Sequence, residues 1–250
     1  MFAHRGGSAA APENTAAAFE AGLAAGADGL ELDVRRSSDG IVVVHHDNLL
    51  DRTTNLAGPV SQHSADVLSR ADAAYHFGAD RSFPFRGRGI GVPTLADVLA
   101  RFRDVPVIIE VKENTFEMAR AVLDVVRAAG AVDRVCFGSF GRRVLRAIRR
   151  AEPGVATSAS REEVRLALYR TWCRWPVSTP PYSGYQVPEK AGSTRVVSPR
   201  FVEDAHRAQL GVQVWTVDTA DDARRLIGWG VDALITDNPL LVVPICKNRR

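Results

Sequence analysis

The sequence predicts an α/β protein folded as a (β/α)8 (TIM) barrel, in which eight parallel strands alternate with helices. Short apolar runs and longer amphipathic stretches alternate along all 250 residues, a length that suits one such domain. No glycine-rich GxGxxG turn follows the first strand, where the competing doubly wound open sheet typically carries one. We therefore expect a single domain over residues 1–250.

Eight segments have the length and apolar content of strands. They are residues 2–4, 29–35, 105–111, 134–138, 155–157, 184–187, 212–217 and 233–236. Amphipathic stretches with helical periodicity lie between many of them, at residues 15–25, 95–102, 116–129, 142–150, 161–169, 201–208 and 220–229. Asn14 or Thr15 can cap the first helix, because either side chain can accept a backbone N–H at a helix start.

Residues 48–93 break this alternation. The segment has little sustained periodicity and many turn residues, among them the run FPFRGRGIGVP. An irregular stretch of this length is uncommon in a compact domain unless it is functional. We therefore expect a small insertion after the second strand, folded as a subdomain beside the functional site.

The composition is that of an ordinary globular protein, with 46% apolar and 24% charged residues. No run approaches the roughly 20 apolar residues of a transmembrane helix, so we expect no integral membrane segment. No signal-peptide pattern is present, which favours a cytoplasmic location. The three cysteines are widely spaced without a CxxC motif and predict neither a disulfide framework nor a zinc site.

Arginines cluster on one predicted helix, although the formal net charge is only +3. The cluster consists of Arg142, Arg143, Arg146, Arg149 and Arg150. Such a run could follow a nucleic-acid backbone, but it is more often a solvated helix face. We therefore expect a small-molecule ligand and no nucleic-acid partner; the pattern does not indicate an oligomeric state.

Two carboxylates share one face of the second strand. Side chains alternate between faces along a strand, so Glu31 and Asp33 project away from the apolar set. That set is Leu30, Leu32 and Val34. In a closed barrel the apolar face packs against helices, which places both carboxylates in the lumen near the strand's C-terminal end. Buried carboxylates must be protonated, paired with cations or bound to metal.

The third predicted strand, within PVIIEVKEN, repeats this arrangement. Glu110 and Lys112 fall on its lumen face, and the opposite face is apolar. Neighbouring parallel strands would bring Glu110 close to Glu31 and Asp33. Three carboxylates without cysteine select one hard divalent cation, Mg²⁺ or Ca²⁺.

An alternative is a purely structural ion network, in which cations neutralise these carboxylates. The candidate cations are Arg5, Arg35 and Lys112. Buried ion networks stabilise a fold weakly compared with apolar packing of similar volume. A repeated acidic pattern at strand ends therefore favours a functional site.

Histidines lie at the same edge of the predicted barrel. His4 ends the first strand, and His45 and His46 follow the second. Two imidazoles that face one site can act as general base and general acid near neutral pH. The residues alone do not decide between His45 and His46. Trp215, on a late strand, can offer an apolar wall to a ligand.

These elements together resemble the glycerophosphodiester phosphodiesterase family. Seven motifs occur in the family's order: HRGGSAAAPENTAAAF from His4, ELDVRRSSDGIVVVHHD from Glu31, RTT from Arg52, PTLADVL from Pro93, IIEVK from Ile108, VQVWTVD from Val212 and GVDALITDNP from Gly230. The match is least clear over residues 172–193. One departure is Asp218, which stands where many relatives have asparagine.

The resemblance implies a (β/α)8 barrel with a small insertion after the second strand. The site residues that it implies are His4 and His46 for catalysis, Glu31, Asp33 and Glu110 for a divalent cation, and Arg5 and Lys112 for phosphate contacts. It thereby selects the second member of the histidine pair, which the residues alone had left open. Trp215 stays a candidate wall of the substrate pocket.

The reaction implied by the resemblance is metal-dependent hydrolysis of a glycerophosphodiester to glycerol 3-phosphate and an alcohol such as choline, ethanolamine, glycerol or inositol. We expect His4 to deprotonate the nucleophile, either water or the substrate's own glycerol hydroxyl, and His46 to protonate the leaving alkoxide. Two alternatives are a phospholipase D-like enzyme acting on lysophospholipids and a barrel that only binds phosphate esters. The absence of paired cysteines argues against the first, and the presence of an acid–base pair argues against the second.

Overall fold

The computed structural model describes residues 1–175 and 179–247. The strands in this part of the chain are β1 (Phe2–Ala3), β2 (Gly29–Arg36), β3 (Val42–Val44), β4 (Val107–Val111), β5 (Val135–Gly138), β6 (Ala156–Thr157), β7 (Gly184–Pro188), β8 (Lys190–Ala191), β9 (Thr194–Arg195), β10 (Gly211–Trp215) and β11 (Ala233–Thr236). The helices are α1 (Ala16–Ala24), α2 (Ala65–Arg70), α3 (Leu95–Arg101), α4 (Phe116–Ala128), α5 (Arg142–Ala151), α6 (Arg161–Cys173), α7 (Pro199–Arg207), α8 (Ala220–Gly228) and α9 (Pro239–Lys247).

Within these described residues, eight strands run parallel in the order β6-β5-β4-β2-β1-β11-β10-β7. The two ends of this sheet meet through a parallel bridge between Ser158 and Gly184. Backbone hydrogen bonds from Ser183 to Thr157 and from Ala159 to Gly184, each 2.9 Å, extend the contact. The predicted (β/α)8 barrel is therefore confirmed.

The boundaries of the predicted strands and helices agree with the structure to within two residues, except that α6 continues to Cys173. Five strands and helices were not predicted: β3, α2, β8, β9 and α9. The short strand β3 pairs antiparallel with β2, and β8 and β9 form a small hairpin after β7. The C-terminal α9 is almost wholly apolar and contains Pro244, so its sequence lacks the polar face that marks a surface helix.

Helix starts follow simple capping chemistry. The Thr15 hydroxyl accepts the Ala18 N–H at the start of α1, and Ser160 with Glu163 forms a capping box at the start of α6. Asn14, the other candidate cap of α1, instead uses its side chain to hold β2. The choice between Asn14 and Thr15 is therefore resolved in favour of Thr15.

The core lies between the barrel and its helices. The outward residues of β2 are fully buried in one apolar cluster with Phe19 of α1, Leu99 of α3 and Val122 of α4. The outward set on β2 is Leu30, Leu32 and Val34. Because these side chains occupy the helix-facing side, Glu31 and Asp33 point into the lumen, as the alternation of the sequence predicts.

The segment predicted as an insertion, residues 48–93, contains α2 and two short 3-10 turns, Val60–Gln62 and Ala79–Arg81. A separate apolar cluster holds it against β3; its buried members are Val43, Leu50, Val60, Leu68, Ala73 and Val92. Its assignment as an insertion subdomain stays a prediction.

The prediction of a solvated arginine face on α5 is wrong for Arg149. The side chain of Arg149 is only 10% exposed and donates to Glu163 Oε1 at 2.8 Å and to the Ser158 carbonyl at 2.7 Å. This arginine therefore ties α5 to the start of α6. The other arginines of the run are exposed; they are Arg142, Arg143, Arg146 and Arg150.

In the described part of the chain, every helix falls short of the length and apolar character that crossing a bilayer requires.

Candidate active site

The pairing of β1 between β2 and β11 determines the surroundings of His4. Ala3 is in register with Leu30 on one side and with Thr236 on the other. The residue after each strand end therefore meets its neighbours: His4 Nδ1 lies 2.7 Å from Asp237 Oδ1, and His4 Nε2 lies 3.9 Å from Glu31 Oε2. His4 thus has one nitrogen held by a carboxylate and the other directed towards the lumen.

Asp237 is itself held in place by its surroundings. Its Oδ1 also accepts the Ser8 hydroxyl at 2.6 Å, and its backbone N–H donates to Asp218 Oδ1 at 2.8 Å. Asp218, the departure from the family pattern, additionally accepts the Thr236 hydroxyl at 2.9 Å. Its carboxylate therefore positions the turn that carries Asp237.

The pKa of His4 reflects a competition between burial and its carboxylate neighbours. Burial alone would lower it, but the hydrogen bond to Asp237 and the negative charges of Glu31 and Asp237 prevail and raise it above the ordinary value. This arrangement therefore stabilises the protonated form of His4 relative to an ordinary imidazole.

Asp33 and Glu110 are direct neighbours in the register of β2 and β4. Lys112 Nζ donates to Asp33 Oδ1 at 2.7 Å, and Asn14 Nδ2 donates to Asp33 Oδ2 at 2.9 Å. Arg5 Nε lies 3.3 Å from the same Oδ2. Burial would raise the pKa of Asp33, but the charges of Lys112 and Arg5 outweigh it and lower the pKa, so Asp33 is ionised.

The other two lumen carboxylates have the opposite electrostatic character. Burial, reinforced by the charge of Asp33, raises the pKa of Glu31 to about 7. Burial also raises the pKa of Glu110 to about 8, against the attraction of Lys112. A Cβ atom on Gly138 would lie 2.5 Å from Glu110 Oε2, so the glycine makes room for this carboxylate. Both glutamates would be stabilised as anions by an added positive charge.

The donor chemistry of these carboxylates fits a hard divalent cation. All three can offer oxygen ligands, and at Glu31 and Glu110, unlike Asp33, the nearby positive charges do not outweigh the effect of burial. Over residues 1–175 and 179–247, however, no three His, Cys, Asp or Glu side chains are grouped so that they could hold a metal ion. Ligation by all three would therefore require side-chain movement on the two adjacent strands.

His46 is held by a chain of ion pairs. Its Nδ1 lies 2.5 Å from Asp47 Oδ1, and Arg52 Nε donates to Asp47 Oδ2 at 2.5 Å. Arg52 also binds Glu13 through two bonds of 2.7 Å, and Glu13 Oε1 accepts Arg5 Nη1 at 2.9 Å. This chain explains why the PENT, HHD and RTT motifs occur together: they supply its consecutive members.

The pKa of His46 shifts in the direction opposite to that of His4. Burial lowers it, and the nearby charges of Lys112 and Arg5 lower it further, although Asp33 and Asp47 act against them. The neutral imidazole is therefore favoured at His46. His45 turns away from the lumen, because its Nε2 lies 3.2 Å from the Leu49 carbonyl.

One cavity of about 1010 Å³ opens at the C-terminal ends of the barrel strands. The structure brings all eight predicted site residues to its lining: His4, Arg5, Glu31, Asp33, His46, Glu110, Lys112 and Trp215. Trp215 contacts Phe140 edge-on, with 6.0 Å between the ring centroids, and so forms part of an apolar wall. The Nε of Arg5 is buried and, among the described residues, has no hydrogen-bond partner.

Four residues that were not predicted from the sequence each orient a predicted site residue; they are Asp237, Asp47, Glu13 and Arg52. A signal for Asp237 was present, since the residue after the last barrel strand must lie beside the residue after the first. Asp47, Glu13 and Arg52 lie inside the quoted motifs, but their mutual contacts depend on the loops that follow β1 and β3.

The fold and the site define a TIM-barrel protein in which one cavity holds two histidine–aspartate pairs, buried carboxylates and the positive charges of Arg5 and Lys112. Residues 4–241 match the glycerophosphoryl diester phosphodiesterase family. A glycerophosphodiester phosphodiesterase from Caldanaerobacter subterraneus is 30% identical over 99% of this chain and 97% of its own. The chain therefore belongs to this family, and the predicted enzyme class is confirmed.

Solved structures agree with this assignment. The glycerophosphodiester phosphodiesterase from Agrobacterium tumefaciens superposes with a TM-score of 0.78 at 29% identity, covering 97% of this chain and 98% of that one. The glycerophosphoryl diester phosphodiesterase domain of Rv2277c from Mycobacterium tuberculosis superposes with a TM-score of 0.85 at 25% identity, covering 99% and 98%.

Proposed function

We propose that the protein hydrolyses glycerophosphodiesters to glycerol 3-phosphate and an alcohol, with His4 and His46 as its acid–base pair. The observation that carries this proposal is the convergence of two aspartate-supported histidines on one cavity with buried carboxylates and two cations. A protein that only bound a phosphate ester would need the positive charges of Arg5 and Lys112 but not an acid–base pair. The opposite pKa shifts of the two imidazoles suit the two halves of an acid–base reaction.

The phosphate would be held by the positive charges of Arg5 and Lys112. Both side chains are mostly buried and border the cavity, where a fixed charge acts on a phosphoryl oxygen with little screening by water. Asp33 bonds Lys112 and lies beside Arg5, so it holds both cations in position. The Nε of Arg5, which lies 3.3 Å from Asp33 Oδ2 without a hydrogen bond, adds a donor at the same place.

Glu31, Asp33 and Glu110 would hold one divalent cation, Mg²⁺ or Ca²⁺. When bound, this ion would neutralise negative charge that develops on the phosphoryl group. The raised pKa values of Glu31 and Glu110 support the assignment, because an uncompensated pair of buried carboxylates is unfavourable.

The pKa directions favour a specific division of roles. His4, whose pKa is raised, would donate a proton to the leaving alkoxide. His46, which favours the neutral form, would accept the proton of the nucleophile. This is the reverse of the assignment expected from the sequence, and we adopt it as the proposal because Asp237 stabilises the imidazolium of His4 through both its hydrogen bond and its charge.

Removal of divalent cations tests the proposed reaction directly. After chelation, we expect the release of glycerol 3-phosphate from glycerophosphocholine to fall by roughly 10²-fold or more, because the cation would supply several kcal/mol of charge stabilisation. Adding Mg²⁺ or Ca²⁺ should restore turnover, and the better ion identifies the preferred metal. Full activity after chelation would contradict the metal assignment; no product with either ion would contradict the reaction.

Asp237→Asn tests the support of His4. We expect kcat for glycerophosphocholine to fall roughly 10- to 100-fold, as for other residues that orient a reactive histidine. Because Asp237 raises the pKa of His4, its loss should also move the alkaline limb of the pH–rate profile to lower pH. Asp232→Asn is the control, since Asp232 bonds His206 at 3.0 Å on the outer surface. An unshifted profile in Asp237→Asn would exclude His4 as the titrating acid.

A further inference from the structure

A second cavity lies between α5, α6 and α7. Its volume is about 410 Å³, within the roughly 300–1,000 Å³ that is typical of small-molecule sites. Among the described residues, none lines both this cavity and the catalytic one. The helix α6 separates the two, because Tyr169 and Trp172 line the catalytic cavity, whereas Leu166 and Arg170 line the second.

The second cavity is strongly basic. In the described part of the chain, its lining contains five arginines, which are Arg142, Arg146, Arg149 and Arg150 of α5 and Arg170 of α6. The four on α5 recur at helical spacing, so one face of this helix turns to the cavity. Two carboxylates, Glu163 and Asp204, lie in the same lining. Five arginines against two carboxylates leave a formal excess of three positive charges.

The two carboxylates of the lining are already paired. Glu163 Oε1 accepts a hydrogen bond from Arg149 Nη1 at 2.8 Å, and Asp204 Oδ1 accepts one from Arg207 Nη1 at 3.3 Å. Arg149 also donates to the Thr157 hydroxyl at 2.8 Å. These groups therefore hold the frame of the cavity and leave the other arginines of α5 uncompensated.

Arg142, Arg146 and Arg150 are exposed and, within the described residues, have no ion-pair partner. Arg146 lies four residues from each of the other two, and like charges at this spacing on a helix repel each other. A bound anion would relieve the repulsion. Because a helix rises about 1.5 Å per residue, Arg142 and Arg150 are about 12 Å apart along its axis. A ligand with two phosphoryl groups matches this spread better than a single phosphate does.

The remaining wall of the cavity is largely apolar and aromatic. Its larger members are Leu166, Pro180, Pro181, Tyr182 and Phe201. Leu166 is 51% exposed, so a ligand that covered it would remove apolar surface from water. The cavity therefore offers positive charge to an anion and an apolar surface to an organic group.

From these observations we propose that the second cavity binds an organic diphosphate, such as a nucleoside diphosphate. Its phosphoryl oxygens accept hydrogen bonds from Arg142, Arg146 and Arg150, because the planar guanidinium group matches the geometry of phosphate. Its organic group packs against Leu166 and Tyr182. This site is independent of the proposed reaction, since its residues lie outside the lining of the catalytic cavity.

The remaining arginine of α5 argues against a nucleic acid as the ligand. The guanidinium of Arg143 lies over the ring of Phe116, 4.2 Å from its centroid, and Arg143 does not line the cavity. The exposed arginines of α5 therefore do not form one continuous basic surface along which a nucleic-acid backbone could run.

Binding of ADP tests this site. The measurement is calorimetric titration of the full chain at low ionic strength, without added divalent cations, because salt screens exposed charges. We expect ADP to bind about tenfold more tightly than AMP, which lacks the second phosphoryl group, and more tightly than inorganic pyrophosphate, which lacks the organic group. No binding of ADP, or equal affinity for ADP and either of the other two ligands, would overturn the proposal.

Matched arginine variants locate the site. Arg146→Ala should raise the Kd for ADP at least about tenfold, the usual effect of losing one charge-assisted hydrogen bond. Arg143→Ala is the control, because it removes the same charge from the same helix outside the cavity, and its Kd should change less than about twofold. Turnover of glycerophosphocholine should be unchanged in both variants, so this test and that of the proposed reaction can fail separately.

Three results with these variants would overturn the proposal. An unchanged Kd in Arg146→Ala would place ADP elsewhere, for example at the cations of the catalytic cavity. Equal losses in Arg146→Ala and Arg143→Ala would indicate unspecific attraction to a basic helix. A single-stranded oligonucleotide that binds more tightly than ADP, and is weakened equally by both substitutions, would assign the helix to nucleic-acid binding instead.

Discussion

Replacing Glu31 by glutamine is expected to lower kcat for glycerophosphocholine by roughly 10³-fold. Several kcal/mol of charge stabilisation would be lost with the cation, and each 1.4 kcal/mol is about tenfold in rate. Glutamine preserves the shape of the side chain and can still accept the Arg5 backbone N–H, which Glu31 accepts at 3.0 Å. The measurement is steady-state turnover with saturating Mg²⁺ or Ca²⁺. Glu117→Gln on the exposed face of α4 is the control.

The stability of the same variant separates a catalytic role from a structural one. The pKa of Glu31 is raised to about 7 in the folded protein. As the pH rises, Glu31 therefore loses its proton in the unfolded chain before it does so in the folded protein. Metal-free wild type should therefore lose free energy of unfolding as the pH rises from roughly 4.5 to 7, and Glu31→Gln should lose less. Near-normal turnover in Glu31→Gln, or a marked drop in its stability at pH 7, would contradict the metal assignment.

The alternation of residues within single strands made much of this site predictable. Glu31, Asp33 and Glu110 follow a period of two between apolar neighbours, and this period is a local property of the chain. Once the strands are parallel, the register that pairs Asp33 with Glu110 places these carboxylates together. The grouping of the three lumen carboxylates therefore follows from the sequence once the strands are taken to be parallel neighbours.

The supporting residues depend on contacts between distant parts of the chain. Asp237 meets His4 across 233 positions, and only closure of the barrel between β1 and β11 brings them together. The distinction between His45 and His46 depends on β3, a strand that was not predicted from the sequence. The His45 backbone N–H donates to the Asp33 carbonyl at 2.9 Å, which continues the β3 ladder and turns the two side chains to opposite sides.

The placement of α6 could be predicted least. Its helical periodicity was evident, but periodicity alone does not show which side a loosely packed helix turns to the barrel. Leu168 and Thr171 are its buried residues in the structure, and the side chains of Tyr169 and Trp172 stay exposed along the cavity. Its orientation is determined by tertiary contacts, among them the ion pair of Glu163 with Arg149.

Changing the leaving alcohol is expected to distinguish the two histidines. On glycerophosphocholine, His4→Asn and His46→Asn should each lower kcat/KM by roughly 10²- to 10⁴-fold, the usual contribution of a general acid or base. On the para-nitrophenyl ester of glycerol 3-phosphate, whose leaving group needs no proton, the loss in His4→Asn should shrink to less than about tenfold. His46→Asn should lose as much on this ester as on glycerophosphocholine, because the nucleophile still requires a base.

The geometry explains why this experiment can discriminate between the histidines. Each imidazole uses Nδ1 to bond an aspartate, Asp237 or Asp47, so asparagine removes the reactive nitrogen from a framework that the neighbouring residues still hold. His206→Asn, which removes a histidine paired with Asp232 on the outer surface, controls for the loss of any such pair. If the loss of kcat/KM shrinks on the nitrophenyl ester in His46→Asn and not in His4→Asn, the sequence-based assignment of acid and base is the correct one. Equal losses on both esters in both variants would mean that neither histidine protonates the leaving group.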